Sequence, residues 1–353
     1  MERIRRLRHL IAQQQLDAML ISKPENRRYL SGFTGSAGFA LVTPCESLLL
    51  VDFRYVEQAR AQAAGFEVVT ADRQFIDTLA EVVAARRLTR IGFEADHLTV
   101  KQHAEFAQRL TPATLAAIDG VDRLRWVKDE TELAHIARAA AIADDAFQHV
   151  LPLLRPGAVE RDIALELEVF MRRHGAEREA FETIVASGPR SALPHGRAAD
   201  RPLQTGDFVT LDFGATVEGY VSDCTRTVVI GEASAKQREV YEIVRAAHAA
   251  ALAGIRPGLT GREADALART VIAQAGYGEA FGHSLGHGVG LAVHEGPTLS
   301  PREDAVLAAG HVVTVEPGIY LPGWGGVRIE NLVVITADGC RSLTGLPTEL
   351  LVL

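Results

Sequence analysis

Gly282-His-Ser-Leu-Gly-His-Gly-Val-Gly-Leu-Ala-Val-His-Glu-Gly296 is the stretch whose reading decides the rest of the chain. It sets three histidines, His283, His287 and His294, among closely spaced glycines. Glycine lets backbone and ligand approach where a side chain would block them. Histidine offers a neutral nitrogen to a metal, or relays a proton near neutral pH. Taken alone, the stretch also has a plainer reading, a glycine loop carrying surface histidines.

Four carboxylates change that balance. Asp212 lies in Thr210-Leu-Asp-Phe-Gly214 and Asp223 in Val221-Ser-Asp-Cys-Thr225, both apolar surroundings. A hairpin centred at Val217-Glu218 is expected to pair position 212 directly with 223. Like charges facing each other across strands repel, burial sharpens the repulsion, and a cation between them removes it. The plain alternative is one turn aspartate and one capping aspartate. Glu316 follows Val312-Val-Thr-Val315 and precedes Pro317-Gly318, and Glu330 lies within the apolar strand run Arg328–Thr336. A glutamate in such a run is costly unless neutralised, or unless the strand is an exposed edge. Four carboxylates around one imidazole make an oxygen-rich shell, which favours manganese, iron or cobalt over a thiolate zinc site. Because carboxylates bridge, two ions ~3.5–4 Å apart are expected; they would lower the pKa of a shared water and stabilise an oxyanion.

The bulk numbers frame this reading. A length of 353 residues exceeds what one core usually serves, so two domains are expected. Apolar content of 47% and charged content of 23% describe an ordinary globular balance. No apolar run approaches the ~20 residues of a membrane span. The basic start lacks the apolar core of a signal peptide and reads as an amphipathic helix with Ile4, Leu7 and Ile11 on one face. Cys45, Cys224 and Cys340 are far apart, which suggests a reducing cytoplasm. A net charge of −8 without a Lys/Arg block argues against nucleic acid, and no membrane partner is expected.

Along the chain, helix and strand signals alternate as far as residue 120, with apolar strands at Ala18–Ile21, Ser47–Val51 and Arg90–Phe93 and a helix over Phe75–Arg87. The pattern breaks at Ala117–Gly120, and the domain boundary is placed near 122, giving units 1–122 and 123–353. The second unit opens on a helix from Lys128 through Phe147, capped by Asp129 or Thr131. Further helices are expected near 159–173, 235–253 and 261–275. Strands are expected at 208–213, 225–230, 311–315 and 328–336, paired by short turns as in antiparallel sheets.

These residues, in this order, resemble the pita-bread metallopeptidases, which include methionine aminopeptidase, prolidase and aminopeptidase P, the last two in the M24B family. The stretch His283–Glu295 resembles their proline-peptidase signature throughout. The resemblance implies an α/β creatinase-like N-terminal domain and an α+β pita-bread catalytic domain. It implies metal ligands Asp212, Asp223, His287, Glu316 and Glu330, with Asp223 and Glu330 bridging two divalent ions. Manganese is expected first; cobalt, iron or zinc are the alternatives. It further implies a substrate-side role for His195, a carbonyl contact for His294, and a pocket-lining role for His283. Arg328 would steady the ligand shell, and Glu316 would shuttle a proton to the leaving nitrogen. Tyr29-Leu-Ser-Gly-Phe-Thr-Gly-Ser-Ala-Gly38 resembles the creatinase-type domain of the proline-specific branch, which methionine aminopeptidase lacks. Asp52-Phe-Arg-Tyr55 resembles an element of aminopeptidase P; its plain alternative is a charged turn. Aminopeptidase P is therefore the first expectation, acting on peptides with proline second. Prolidase comes next, then a hydrolase of another amide or ester and a non-catalytic peptide-binding module. Relatives imply a homodimer.

Overall fold

The computed structural model describes residues 2–71 and 74–353, which fall into two compact units, Met1–Arg125 and Trp126–Leu353. In the first unit, α1 (Glu2–Gln13) leads to β1 (Ala18–Ile21), α2 (Pro24–Ser31), β2 (Phe39–Val42), β3 (Ser47–Val51), α3 (Val56–Gln62) and β4 (Glu67–Thr70). Then follow α4 (Phe75–Ala85), β5 (Arg90–Glu94), α5 (Val100–Arg109) and β6 (Thr114–Ile118). The strands form one sheet in the order β4-β3-β2-β1-β5-β6, with β2 antiparallel to both neighbours and the other pairs parallel. Every residue of β1 and β3 is buried. That explains why both appear in the sequence as continuous apolar runs rather than alternations. β6 is a strand that the sequence reading treats as a break. It is an edge strand of small, half-exposed residues, so its apolar signal is weak.

The Asp52–Tyr55 element is a short 3₁₀ turn in this unit. Asp52 accepts hydrogen bonds from Arg54 N, Nε and Nη2 at 3.0, 3.0 and 2.8 Å, and the Tyr55 hydroxyl lies 2.7 Å from Ser36 Oγ in the glycine-rich stretch. Its charges are spent on each other, as in a capped turn.

The second unit begins with α6 (Glu130–Val150) and α7 (Glu160–Arg173), followed by β7 (Arg178–Glu179), β8 (Ile184–Ser187), β9 (Phe208–Phe213), β10 (Ala215–Val217), β11 (Tyr220–Val221) and β12 (Cys224–Val229). After α8 (Ala235–Gly254) and α9 (Gly261–Gln274) come β13 (Gly286–Gly288), β14 (Glu295–Leu299), β15 (Val312–Val315), β16 (Gly318–Leu321), β17 (Gly325–Arg328), β18 (Asn331–Ile335) and β19 (Cys340–Ser342). Asp129 caps α6 through a reciprocal bond with Glu132, and Ser234–Gln237 and Thr260–Glu263 cap α8 and α9 in the same way. The strands pair antiparallel in four sheets, β11-β10-β7, β12-β9-β8, β14-β13-β15-β18-β19 and β16-β17. α6 and α7 pack on β9 and β12 through Phe147, Leu167, Leu211 and Phe213. α8 and α9 pack on β15 and β18 through Val244, Ala268, Val313 and Val333.

Two strand expectations are corrected. The hairpin turns at Glu218-Gly219, which take φ of 48° and 72°, the left-handed values that a tight two-residue hairpin requires. The register therefore places Asp212 opposite Thr225, not Asp223. The run 328–336 is also not one strand: β17 ends at Arg328, β18 starts at Asn331 in another sheet, and Ile329-Glu330 form the corner between them.

β13 is squeezed between β14 and β15, and its glycines make that possible. A Cβ on Gly286 would lie 2.0 Å from the Thr314 carbonyl oxygen, and one on Gly288 would lie 2.4 Å from that of Gly296. His287 is therefore the one side chain the strand carries. We expect Gly286→Ala to lower the urea-unfolding midpoint at a cost of about 1–3 kcal/mol from overpacking. Gly282→Ala, where nothing lies within 4 Å of the added carbon, should stay within about 0.5 kcal/mol of the wild type. Equal midpoints for the two variants would refute the close-approach argument.

Candidate metal centre

All nine residues singled out by the sequence reading line one cavity of about 700 Å³ in the second unit. Asp212 is on β9, Asp223 just before β12, His287 on β13, Glu316 just after β15, and Glu330 at the corner between β17 and β18. Oxygen atoms of Asp212, Asp223 and Glu330 all lie within 4.8 Å of one another. His287 Nε2 is 3.6 Å from Asp223 Oδ2 and 3.4 Å from Glu316 Oε1. Two overlapping groups result, Asp212–Asp223–Glu330 and Asp223–His287–Glu316, with Asp223 in both.

The electrostatics of this shell are severe. Burial, then the negative charges of Glu330, Asp212 and Glu316, push the Asp223 carboxyl well above the usual range. Burial, then Glu316 and Asp212, do the same to Glu330. Burial above all lifts Glu316 to about 7. Burial also works against the Arg328 charge, yet Tyr320 and the carboxylates around it hold that guanidinium protonated. Asp212 Oδ2 accepts a hydrogen bond from Arg328 Nη2 at 2.6 Å, whereas Asp212 Oδ1 is buried with no partner among the described residues. Orphaned buried carboxylate oxygens and mutually repelling acids are what a divalent cation relieves, so the residues present fit one.

The supporting contacts explain the orientations. His287 Nδ1 lies 3.1 Å from the Gly288 carbonyl, which assigns the proton to Nδ1 and leaves Nε2 as a lone-pair nitrogen facing the acids. Burial lowers the His287 pKa and favours that neutral form. Thr314 Oγ1 accepts from the His287 amide at 3.0 Å and donates to Glu316 Oε1 at 2.9 Å. Thr225 Oγ1 donates to Glu330 Oε2 at 2.6 Å and accepts from Arg328 Nε at 3.0 Å. Arg328 Nη1 also donates to the Tyr320 hydroxyl at 2.8 Å, which in turn lies 2.9 Å from His283 Nε2.

Thr225, Thr314 and Tyr320 are the residues that the sequence reading leaves out. Each threonine sits two residues from an acid, but nothing else in the sequence separates it from an ordinary strand residue. His283 lines the cavity with both ring nitrogens engaged. Its Nδ1 faces the Ser284 carbonyl at 2.8 Å and its Nε2 faces Tyr320, because burial drives the ring neutral, to a pKa of about 4. His195 is exposed at the cavity mouth. The His294 ring lies 4.3 Å from that of His287.

Residues 134–337 match the model of Metallopeptidase family M24, and residues 3–127 match that of the Creatinase/Prolidase N-terminal domain. The Xaa-Pro dipeptidase of Pyrococcus horikoshii is 39% identical over 351 residues, 99% of this chain and 99% of that protein. Among solved structures, the Xaa-Pro dipeptidase from Bacillus anthracis gives a TM-score of 0.98 at 47% identity, covering 100% of this chain and 99% of its own. The X-Pro aminopeptidase from Thermotoga maritima gives 0.92 at 44% identity, covering 99% of each chain.

The raised carboxylate pKa values have a consequence for stability. A carboxyl whose folded pKa exceeds its unfolded value stabilises the fold fully below the unfolded pKa and loses that contribution as pH rises through the folded one. Neutral buried histidines act oppositely, but only below their unfolded pKa of about 6.5. From pH 6.5 to 8 the acids dominate. Chelator-treated protein should therefore lose thermal stability across that window, and an added divalent metal should restore it. A chelated protein whose midpoint rises from pH 6.5 to 8 would contradict the shell described above.

Proposed function

The chain belongs to metallopeptidase family M24, its pita-bread catalytic domain preceded by a creatinase-type N-terminal domain, and from that premise we propose that it cleaves Xaa-Pro bonds, with the Xaa-Pro dipeptide as its preferred substrate. The observation that carries the reading is the convergence of Asp212, Asp223 and Glu330 beside His287 and Glu316 in one cavity. On this proposal Asp212, Asp223, His287, Glu316 and Glu330 would hold two divalent ions between them. Manganese is the proposed ion, with cobalt, iron or zinc as substitutes. When bound, the ions supply a water of lowered pKa and Lewis-acid polarisation of the scissile carbonyl.

The chain's own residues do the rest. Glu316, lifted toward neutral pH and anchored by Thr314, is poised to take a proton and return it to the leaving prolyl nitrogen. His294 and His195 have no side-chain hydrogen bond among the described residues, so their ring nitrogens are available to substrate. His294, beside His287, is placed to donate to the scissile carbonyl. Arg328 keeps Asp212 oriented, and His283 with Tyr320 keeps Arg328 oriented. Phe181, Ile184 and Val293 supply the apolar wall against which a prolyl ring, with its fixed φ and no N–H, can be selected.

The relatives named as dipeptidases tip the choice away from aminopeptidase P, the first expectation from sequence, and the self-contained Asp52–Arg54 turn weakens the motif argument for it. The Thermotoga maritima aminopeptidase keeps cleavage of longer peptides as the second reading. A cytoplasmic location and a homodimer, the commonest symmetric assembly, complete the proposal. Among the described residues, no helix is long and apolar enough to cross a membrane.

The test is hydrolysis of Ala-Pro, Ala-Pro-Ala and Ala-Ala with added manganese and with chelator. We expect metal-dependent cleavage of Ala-Pro, with Ala-Ala resistant. His287→Ala should lose one metal equivalent and more than about 100-fold in rate, beyond the 10–100-fold typical of supporting residues. Comparable kcat/KM on the tripeptide would move the assignment to aminopeptidase. Silence on every peptide with metal bound would refute it.

A further inference from the structure

The cavity mouth carries a second arginine that the site described so far does not use. Arg328 is spent inside, on Asp212, Thr225, Tyr320 and the Pro194 carbonyl. Arg197 lines the same cavity two residues after His195, just past the turn at Pro194-His195. Gly196 between them turns the other way, where a Cβ would lie 2.9 Å from that of Ala186. The Arg197 main chain is fixed, bridged to Ile184 and accepting a hydrogen bond from Arg190 at its carbonyl. The Arg197 side chain stays 79% exposed and, among the described residues, pairs only with Glu182, 2.9 Å from Nε to Oε2, with the Glu182 side chain 60% exposed. An ion pair this exposed contributes little, so exchanging its carboxylate for another costs little.

We infer that Arg197 is a specificity-determining residue that receives the free carboxylate of an Xaa-Pro dipeptide, with Glu182 holding the guanidinium at the mouth until the substrate carboxylate displaces it. The inference rests on the proposed peptidase activity. A planar guanidinium presents two parallel N–H donors to a carboxylate, which an amide or a continuing chain cannot match. Arg197 thereby rewards dipeptides without any extra basic loop. Phe181 and Ile184, on the same side of the cavity, place the apolar surface next to the charge, the order in which a C-terminal proline presents its ring and its carboxylate.

The experiment compares Ala-Pro with Ala-Pro-NH2 on the manganese-loaded full chain, read as KM or, for a slow substrate, as an inhibition constant. Arg197→Ala should raise KM for Ala-Pro by roughly tenfold or more, with kcat within about twofold and the amide unaffected. Arg197→Lys should fall between, and Glu182→Gln, which frees the guanidinium, should lower KM for Ala-Pro. Equal effects on acid and amide, or none on either, would overturn the Arg197 assignment while leaving the peptidase reading intact. A wild type that cleaves neither substrate would remove both.

Discussion

Four carboxylates share a buried space in which one guanidinium, that of Arg328, meets them directly. With His287 neutral, the fully ionised shell holds three surplus negative charges out of bulk water. Attraction and repulsion there are several-fold stronger than at the surface. Protonation is one escape, and burial with mutual repulsion pushes Asp223, Glu316 and Glu330 towards it. A single divalent ion would leave one negative charge uncompensated. Two would leave one positive charge, which suits a centre that must stabilise an oxyanion developing on its substrate. The charge balance thus favours a dinuclear site on grounds independent of any relative.

Holding such a shell together requires elements that cannot drift apart, and the β9–β12 ladder supplies them. Thr225 and Arg226 are neighbours whose side chains leave opposite faces of the strand. Thr225, paired across the ladder with Asp212, clamps the Glu330 carboxylate and the Arg328 guanidinium. Arg226 reaches behind, donating to the main-chain carbonyls of Glu330, Leu346 and Pro347 and to Asn331 Oδ1. Two adjacent residues thereby fix both the side chain and the main chain of Glu330. The corner at Ile329-Glu330, where the chain passes from one sheet to the other, is held by these contacts.

Much of this was legible in the sequence, and the reason is chemical. Acids and histidines in apolar, glycine-rich contexts stand out because each is expensive to bury. The short apolar runs of β1 and β3 and the capped α6 were equally plain. What was not legible depended on register and on small polar residues. Moving the turn from Val217-Glu218 to Glu218-Gly219 shifts every cross-strand partner, and no composition rule fixes which positions take positive φ. Thr225 and Thr314 look like ordinary β-branched strand residues until their hydroxyl partners are known. β6 was missed because a half-exposed edge of small residues resembles a loop.

The three histidines of the glycine-rich stretch show how far such a motif can be read. In sequence they are equivalent, three imidazoles within twelve positions. In the fold they differ by what their ring nitrogens already do. His287 has one nitrogen held by the Gly288 carbonyl and the other turned to the acids. His283 has both engaged, ending a chain that runs from Arg328 through the Tyr320 hydroxyl to the Ser284 carbonyl. A ring so committed can order its neighbours but has little to offer a substrate. His294 has no side-chain hydrogen bond among the described residues, and burial and the neighbouring His287 and His195 lower its pKa, which favours the neutral ring. A motif therefore nominates residues, and the count of uncommitted donors and lone pairs assigns them to structure, to metal or to substrate.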